Sequence, residues 1–236
     1  MIRLENVTKH YSRRGETITA LRCEQLTIST GEYVAIIGPS GSGKTTLLSL
    51  LGGMLSPTAG KVWLGETSVY DLTASARSAL RSQQLGFVFQ TFNLVPYLTA
   101  LQNVQIPLCL MGQSNADQGR RATEMLSRFG LSDRLHHRPS ELSVGQQQRV
   151  ALARTLVNDP QIILADEPTG NLDPESREVV LDAFDAAHQE DRTIVMVTHD
   201  PVAANRATRP LSLRAGELTE ACTDLHADQS PQRLSA

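Results

Sequence analysis

The sequence reads Gly38-Pro39-Ser40-Gly41-Ser42-Gly43-Lys44-Thr45 between an apolar run at residues 33–37 and a helical pattern that stops at Gly52-Gly53. This stretch fits the pattern G-x-x-x-x-G-K-[ST], whose glycines let backbone N–H groups curl around phosphates at a helix N-terminus. Lys44 is expected to reach the β- and γ-phosphates, and the Thr45 hydroxyl is expected to ligate Mg²⁺. A glycine-rich turn without a ligand is the alternative, and the complete pattern between a strand and a helix disfavours it. The predicted nucleotide-binding residues of this loop are Gly38, Pro39, Ser40, Gly41, Ser42, Gly43, Lys44, Thr45 and Thr46.

An acidic pair, Asp166 and Glu167, follows a second apolar run at residues 161–165. The pair would lie at the carboxyl edge of a parallel sheet, where ligands bind in such folds. A carboxylate there can hold the Mg²⁺ shell, and Glu167 can orient and deprotonate the attacking water. For the pair alone, a solvated acidic turn before Pro168 is a reasonable alternative. The phosphate loop makes a hydrolytic site the better interpretation.

The alternation of apolar runs and helical patterns predicts an α/β fold. Runs at residues 161–165 and 193–197 alternate with helical patterns at 174–189 and 201–206, whereas residues 90–140 favour helix. We therefore predict a P-loop NTPase core with a mainly parallel sheet, an N-terminal antiparallel β part and an inserted helical lobe at about residues 90–155. A single domain would span residues 1–220, and a polar tail would follow at residues 221–236.

Composition limits the possible functions of this 236-residue chain. The net charge of -3 and the pI ≈ 6.1 argue against a nucleic-acid partner. Cys23, Cys109 and Cys222 form no C-x-x-C pair, so neither a disulfide framework nor a zinc site is indicated. Residues 82–116 carry no charge, but polar residues and prolines interrupt them too often for a membrane span. We therefore expect a cytoplasmic protein with reduced thiols.

A further run identifies the family that the sequence resembles. Leu142-Ser143-Val144-Gly145-Gln146, continued by Gln147-Gln148-Arg149-Val150-Ala151-Leu152-Ala153-Arg154, is similar to the LSGGQ signature helix of ATP-binding-cassette (ABC) proteins. It lies shortly before Ala165-Asp166-Glu167-Pro168, as the family requires. The resemblance spans residues 2 to about 218. It implies an ATPase that uses ATP and Mg²⁺, lies on the inner face of the cell membrane and contacts that membrane only through an integral permease-type subunit.

Carried over position by position, the resemblance also implies residue roles. Tyr11 would stack on adenine, Gln90 would contact Mg²⁺ and sense the γ-phosphate, and His199 would grip the γ-phosphate. Asn171-Leu172-Asp173 matches the D-loop, which crosses the interface between two cassettes. The implied catalytic residues are Glu167, His199 and Lys44, and the implied metal contacts are Thr45, Gln90 and Asp166. The signature residues Ser143, Val144, Gly145 and Gln146 would contact the nucleotide of the opposite subunit, so that a homodimer sandwiches two ATP molecules.

The signature departs from the family pattern at Val144, which replaces its first glycine. A valine is tolerable if this position contributes its backbone N–H, and strained if the position needs a positive φ. Because every catalytic position is intact, we expect function to survive.

Within the family, three stretches resemble the lipoprotein-releasing and macrolide-efflux branch, namely residues 165–173, 92–94 and 137–143. The membrane partners of that branch use cytosolic ATP to move periplasmic domains. The leading hypothesis is therefore an ATPase subunit that drives efflux or extraction. A regulatory cassette that controls cell-wall or signalling systems without transport is the alternative. A soluble DNA-repair or translation ATPase is disfavoured, since such proteins usually carry insertions that are not found here.

The charge-free residues 82–116 surround Gln90, which suggests that they form the docking groove for a cytoplasmic helix of the membrane subunit. Phe92, Leu94, Tyr97 and Leu98 look exposed in this loop-like sequence. The alternative is that these side chains form the core of the inserted lobe.

Overall fold

A ten-stranded sheet organises the computed structural model, which describes residues 1–13, 15–170 and 172–220. The predicted tail at 221–236 and Asn171 of the predicted D-loop lie outside these residues. The strands are β1 (Ile2–Arg13), β2 (Glu16–Ile28), β3 (Tyr33–Ile37), β4 (Ala59–Leu64), β5 (Thr67–Ser68), β6 (Leu85–Phe89), β7 (Ile162–Asp166), β8 (Thr193–Thr198), β9 (Arg209–Arg214) and β10 (Glu217–Glu220). Their order in the sheet is β5-β4-β1-β2-β10-β9-β3-β8-β7-β6.

Seven helices accompany the sheet within the described residues. They are α1 (Lys44–Leu51), α2 (Ala74–Gln84), α3 (Ala100–Leu110), α4 (Asn115–Arg128), α5 (Val144–Leu156), α6 (Pro174–Gln189) and α7 (Pro201–Ala204), with a 3₁₀ turn at Pro139–Glu141. The strand at residues 33–37 and the helix at 174–189 agree with the sequence prediction at both ends. By contrast, the alternating pattern at residues 2–7 predicts a strand that ends six residues before β1 does, and the polar stretch at residues 112–117 predicts a loop where α4 begins.

The parallel part of the sheet consists of β9, β3, β8, β7 and β6. Strands β3, β6, β7 and β8 are near-continuous apolar runs, and β8 is buried along its whole length, as expected for strands covered on both faces. Helix α1 contacts this part through an apolar cluster that includes Leu47, Leu50 and Leu51. Helix α6 contributes Val180, Leu181 and Phe184 to a second cluster.

The N-terminal part is antiparallel, as predicted. Strand β1 pairs with both β2 and β4, and β4 pairs with β5. The sheet continues from β2 to β10 through a single parallel pair, Glu217 with Arg22. The mixed sheet therefore confirms the predicted α/β class.

Helices α3, α4 and α5 form the lobe between β6 and β7. They share their own apolar cluster, in which Val104, Leu126 and Val150 are fully buried. Thr99 and Ser143 cap α3 and α5 through reciprocal side-chain and backbone hydrogen bonds, which satisfy otherwise unpaired N–H groups. The inserted helical lobe of the predicted fold is thus present. None of the helices in the described ranges is long and apolar enough to cross a membrane.

Candidate nucleotide-hydrolysis site

The phosphate loop joins β3 to α1 and needs glycine at Gly43. This residue has a φ of 106°, and a Cβ at this position would lie 2.2 Å from the carbonyl oxygen of Ala20 on β2. Any larger residue would push the antiparallel part of the sheet away from the loop. Helix α1 begins immediately afterwards, and Leu47 N donates to Gly43 O at 2.9 Å. The N–H groups at the helix start therefore face the loop, which suits phosphate binding.

Lys44 is folded back onto its own loop. Its Nζ donates to the carbonyl oxygens of Gly38 at 2.7 Å and Pro39 at 3.1 Å, and it lies 3.7 Å from Glu167 Oε1. The residue is only 8% exposed, so its charge is balanced by these oxygens rather than by water. A phosphate group entering the loop would offer the ammonium stronger partners than two neutral carbonyls.

Ser42 supplies a second sign that the loop fits a phosphate group. Within the described parts of the chain, its Oγ is buried and has no hydrogen-bond partner. A buried hydroxyl without a partner is costly, and such groups usually have a functional reason.

The four segments of the site meet because their strands are parallel neighbours. In the sheet register, Phe89 of β6 lies opposite Asp166 of β7, and Asp166 lies opposite Val197 of β8. Strand β3 pairs with β8 on the other side. Gln90, the Asp166–Glu167 pair, His199 and the phosphate loop therefore emerge at one sheet edge, the carboxyl edge at which the sequence places the acidic pair.

Thr45 and Asp166 form the part of the site that suits a cation. Thr45 Oγ1 donates to Asp166 Oδ2 at 3.0 Å. Burial raises the pKa of Asp166, as does the charge of Glu167, and the hydrogen bond from Thr45 and the charge of Lys44 act in the opposite direction. The described residues contain no group of three or more His, Cys, Asp or Glu that could hold a metal alone. One hydroxyl and one carboxylate fit Mg²⁺, which normally takes its other ligands from substrate phosphates and water.

Glu167 has a left-handed backbone with φ 46°, an arrangement that costs a non-glycine residue about 1–2 kcal/mol. Its Oε2 accepts hydrogen bonds from the backbone N–H of His199 at 3.1 Å and lies 2.9 Å from His199 Nδ1. The remaining oxygen faces Lys44. The strained turn thus directs an acceptor-only side chain into the site, as a base that activates water requires.

Gln90 is exposed at the end of β6 and lies next to the turn that follows Glu167. A Cβ placed on Gly170 would be 3.3 Å from Gln90 Nε2. Tyr11 lies on β1 opposite Ile18 of β2, with Lys9 Nζ 5.4 Å from the centre of its ring. The same hairpin reaches the phosphate loop through Ala20. The roles of Gln90 and Tyr11 toward nucleotide remain predictions.

The signature begins helix α5. Ser143 Oγ accepts from Gln146 N at 3.2 Å, and Gln146 Oε1 accepts from Ser143 N at 3.0 Å. Val144 is 49% exposed and is not among the residues with positive φ, so its backbone does not need glycine. Gly145 cannot be replaced as easily, because a Cβ there would lie 2.2 Å from Ser176 Oγ on α6.

Asp173 caps α6 by accepting from Ser176 N at 2.9 Å. This bond is the main reason that the pKa of Asp173 is lowered. The capping role belongs to the chain itself, and the role of Asp173 at an interface between cassettes remains a prediction.

Several residues near the site could not be identified from the sequence. Ser212 and Arg214 of β9 line a cavity of about 480 Å³ together with Gly38, Pro39 and His199. They lie near the end of β9, which pairs with β3, and no motif in the sequence marks them. Gln148 is fully buried on α5 and donates to Pro168 O at 2.8 Å, next to Glu167. This glutamine stands in the run that resembles the signature helix, but the run does not reveal its partner.

A phosphate loop, an acidic strand end and a candidate base on a parallel sheet define the class of this protein as a P-loop nucleoside triphosphatase. The family model described as ABC transporter matches residues 21–170. The chain belongs to that family and is a nucleotide-binding ATPase.

Related proteins agree with this assignment. An uncharacterized ABC transporter ATP-binding protein of Bacillus subtilis, YvrO, is 45% identical over 92% of this chain and 95% of its own length. The macrolide export ATP-binding/permease protein MacB of Bartonella henselae is 47% identical over 91% of this chain, which spans only 33% of that relative. The ATP-binding cassette MJ0796, solved as a dimer bound to ADP and Pi, superposes with a TM-score of 0.87 at 41% identity and covers 93% of this chain and 98% of its own.

Proposed function

We propose that the chain is the ATP-hydrolysing subunit of an ABC transporter complex and drives a separate integral membrane subunit in efflux or in extraction of lipoprotein or another substrate. One observation carries the proposal: the chain matches MacB over 33% of that ATP-binding/permease protein. YvrO, matched over 95% of its length, supports a cassette that works as a separate chain.

Within one chain, the roles follow from the contacts at the sheet edge. Lys44 would leave its two loop carbonyls for the β- and γ-phosphates, and Ser42 Oγ would find a partner there. Glu167 would accept the proton of the attacking water, while His199 keeps its contact with Glu167 Oε2. Mg²⁺, held by Thr45, Asp166 and Gln90, would neutralise charge on the phosphates. Tyr11 would contact the adenine.

The N-terminus of α5 would act on the nucleotide of a second copy. Phosphoryl transfer needs donors around the γ-phosphate, and these often come from another subunit. Ser143 Oγ already accepts a bond from Gln146 N, so its own hydrogen is available to donate. Together with the N–H of Gly145 and the positive end of the helix, it forms a suitable donor set. The dimeric MJ0796 cassette supports a twofold arrangement of this kind.

The loop between β6 and α3, residues 90–99, is called the Gln90 loop. A groove beside it is the proposed docking site for the membrane subunit. The groove is a cavity of about 360 Å³ between β6, α3 and α5, and its apolar lining includes Phe87, Phe89, Ile106 and Leu110. Arg154 is the charged side chain in its lining. An apolar face of a cytoplasmic helix from the membrane subunit would fit such a lining.

The structure changes which residues test this groove. Tyr97 is 83% exposed, as expected. The prediction that Phe92, Leu94 and Leu98 are exposed is wrong, because all three are half-buried. Phe92 packs against the core cluster of α6, and Leu94 packs against the lobe cluster. Leu110, which is 75% exposed and lines the groove, is the better position for a disruptive substitution.

Co-expression with a permease-type membrane subunit from the same organism tests the proposal. We expect Leu110→Glu to abolish co-purification from detergent while the ATPase rate of the isolated chain stays within about twofold, since the site is untouched. Val179→Glu is the matched control, because it alters an exposed aliphatic side chain on a different helix, α6. This variant should co-purify normally. Equal co-purification of both variants would contradict the groove. Failure of the wild-type chain to co-purify would contradict the proposed complex.

A further inference from the structure

The loop after β6 contains two consecutive non-glycine residues in left-handed conformation. Phe92 has a φ of 56° and Asn93 a φ of 49°. Asparagine tolerates this region comparatively well, whereas a bulky residue such as phenylalanine is a true outlier there. Such conformations persist only where surrounding contacts impose them, and they cluster at functional sites. Gln90 lies two residues before this turn.

Arg154 supplies the contacts that hold the turn. It projects from the last turns of α5, and its Nη1 donates to Asn93 O while its Nη2 donates to Phe92 O, both at 2.7 Å. The two nitrogens of one planar group therefore bind the two left-handed residues, each through a charge-assisted hydrogen bond. Burial lowers the pKa of Arg154, and in the described parts of the chain no carboxylate forms an ion pair with it.

We propose that Arg154 is a positioning residue for ATP hydrolysis: its guanidinium clamps the Gln90 loop through the Phe92 and Asn93 carbonyls. The clamp keeps Gln90 beside the turn that follows Glu167, where a Cβ on Gly170 would lie 3.3 Å from Gln90 Nε2. It also joins this loop to the helix that starts at Ser143. The effect on hydrolysis rests on the role proposed above for Gln90, whereas the effect on the loop does not.

A lysine cannot replace this contact fully. The guanidinium presents two donors in a fixed fork, whereas an ammonium is a point charge on a flexible stem. Arg154→Lys should therefore retain part of the clamp, and Arg154→Gln should lose it. Arg121 offers a matched control, because its guanidinium also donates to a backbone carbonyl at the end of α5, that of Val157, away from the Gln90 loop.

Hydrogen exchange of the nucleotide-free protein gives the first readout. We expect the amides of Phe92 and Asn93 to exchange at least tenfold faster in Arg154→Gln and to an intermediate degree in Arg154→Lys. Arg121→Gln should leave their exchange within twofold of wild type. Unchanged exchange in Arg154→Gln would overturn the clamp. A rise of the same size in Arg121→Gln, at a similar loss of melting temperature, would also overturn it, because it would reflect general loosening of the lobe.

Steady-state ATPase assays give the second readout. We expect Arg154→Gln to lower kcat about tenfold and to raise the Mg²⁺ concentration needed for half-maximal rate, with KM for ATP within about twofold. Gln90→Ala serves as the reference. If Gln90→Ala shows these effects and Arg154→Gln does not, the clamp has no positioning role and the proposal is overturned. If Gln90→Ala changes nothing, the function proposed for Gln90 is wrong, while faster exchange in Arg154→Gln would still support the clamp.

Discussion

Glu167→Gln is the substitution that tests the catalytic scheme most directly. It keeps the size of the side chain and removes the proton acceptor, so we expect kcat to fall by roughly 10²–10⁴, the usual contribution of general-base catalysis. This loss corresponds to about 3–5 kcal/mol of transition-state stabilisation. The oxygen of the amide can still accept from His199, which Glu167 Oε2 contacts at 2.9 and 3.1 Å. The local fold should therefore survive.

The structure also predicts a change in ATP affinity. Glu167 Oε1 lies 3.7 Å from Lys44 Nζ and so competes with the phosphates for this ammonium. The gross attraction at such a separation is about 4 kcal/mol at an effective dielectric constant of 20, but the lost hydration of two largely buried charges offsets most of it and leaves a net of about 1 kcal/mol. Removing the charge should therefore tighten ATP binding by up to about fivefold. Fluorescence titration with an ATP analogue and a single-turnover assay would measure affinity and hydrolysis separately.

Slow hydrolysis should also trap the proposed dimer. In Mg-ATP, light scattering of Glu167→Gln should give twice the 25.7 kDa mass of the chain, and in ADP it should give the monomer. Adding Ser143→Arg should prevent the dimer, because a long charged side chain would replace the hydroxyl that we propose faces the opposite nucleotide. Near wild-type turnover by Glu167→Gln would refute Glu167 as the base. A double variant that still dimerises would refute the action of the signature on the second copy.

Two further substitutions separate stability from catalysis. Because burial raises the pKa of Asp166, ionisation of this carboxyl lowers the free energy of unfolding at pH values above its folded-state pKa. This destabilisation is lost as the pH falls through that pKa. Asp166→Asn should therefore raise the melting temperature of the nucleotide-free protein near pH 7, by about 2–4 °C for each kcal/mol gained, and the gain should be smaller at acid pH. The same substitution should abolish Mg²⁺-dependent hydrolysis. A lower melting temperature at neutral pH would contradict the prediction. Val144→Gly should change the ATPase rate only severalfold and reduce stability by about 0.5 kcal/mol, since the valine has an ordinary helical backbone. A change of several hundredfold in rate, more than about 3 kcal/mol, would show instead that the valine side chain shapes the site.

The phosphate loop and the sheet edge could be predicted from sequence because local patterns determine them. The run at residues 33–37 is apolar throughout, as is typical of a strand buried on both faces. The eight residues that follow it form a complete phosphate-loop pattern. The ends of β6, β7 and β8 then meet as a consequence of parallel pairing. The antiparallel part was harder to predict from sequence, because residues 8–12 of β1 are half-buried or exposed and show no apolar run.

Contacts between distant residues could not be predicted from sequence. Leu94 looks exposed in sequence because its neighbours resemble a loop, yet α3 and α5 offer it an apolar surface. Arg154 stands in a run that resembles the signature helix, but its partners are 61 and 62 positions away and are main-chain carbonyls. A carbonyl is present at every residue, so no residue type marks it as the partner of an arginine.

Helix α5 explains why these long-range contacts matter for function. Its thirteen residues span about 20 Å at 1.5 Å per residue. Ser143 caps one end, Gln148 binds the carbonyl of Pro168 next to Glu167, and Arg154 binds the Gln90 loop near the other end. If the cap contacts the nucleotide of a second copy, as we propose, the same helix connects that nucleotide to the base and to the Gln90 loop of its own chain. Two of these contacts, those of Gln148 and Arg154, join the helix to other segments of the chain, so we expect a shift at Ser143 to reach both Glu167 and Gln90. The two ATP sites of the proposed dimer would therefore be coupled through α5, and loss of the Gln148 or Arg154 contact should weaken that coupling before it weakens nucleotide binding.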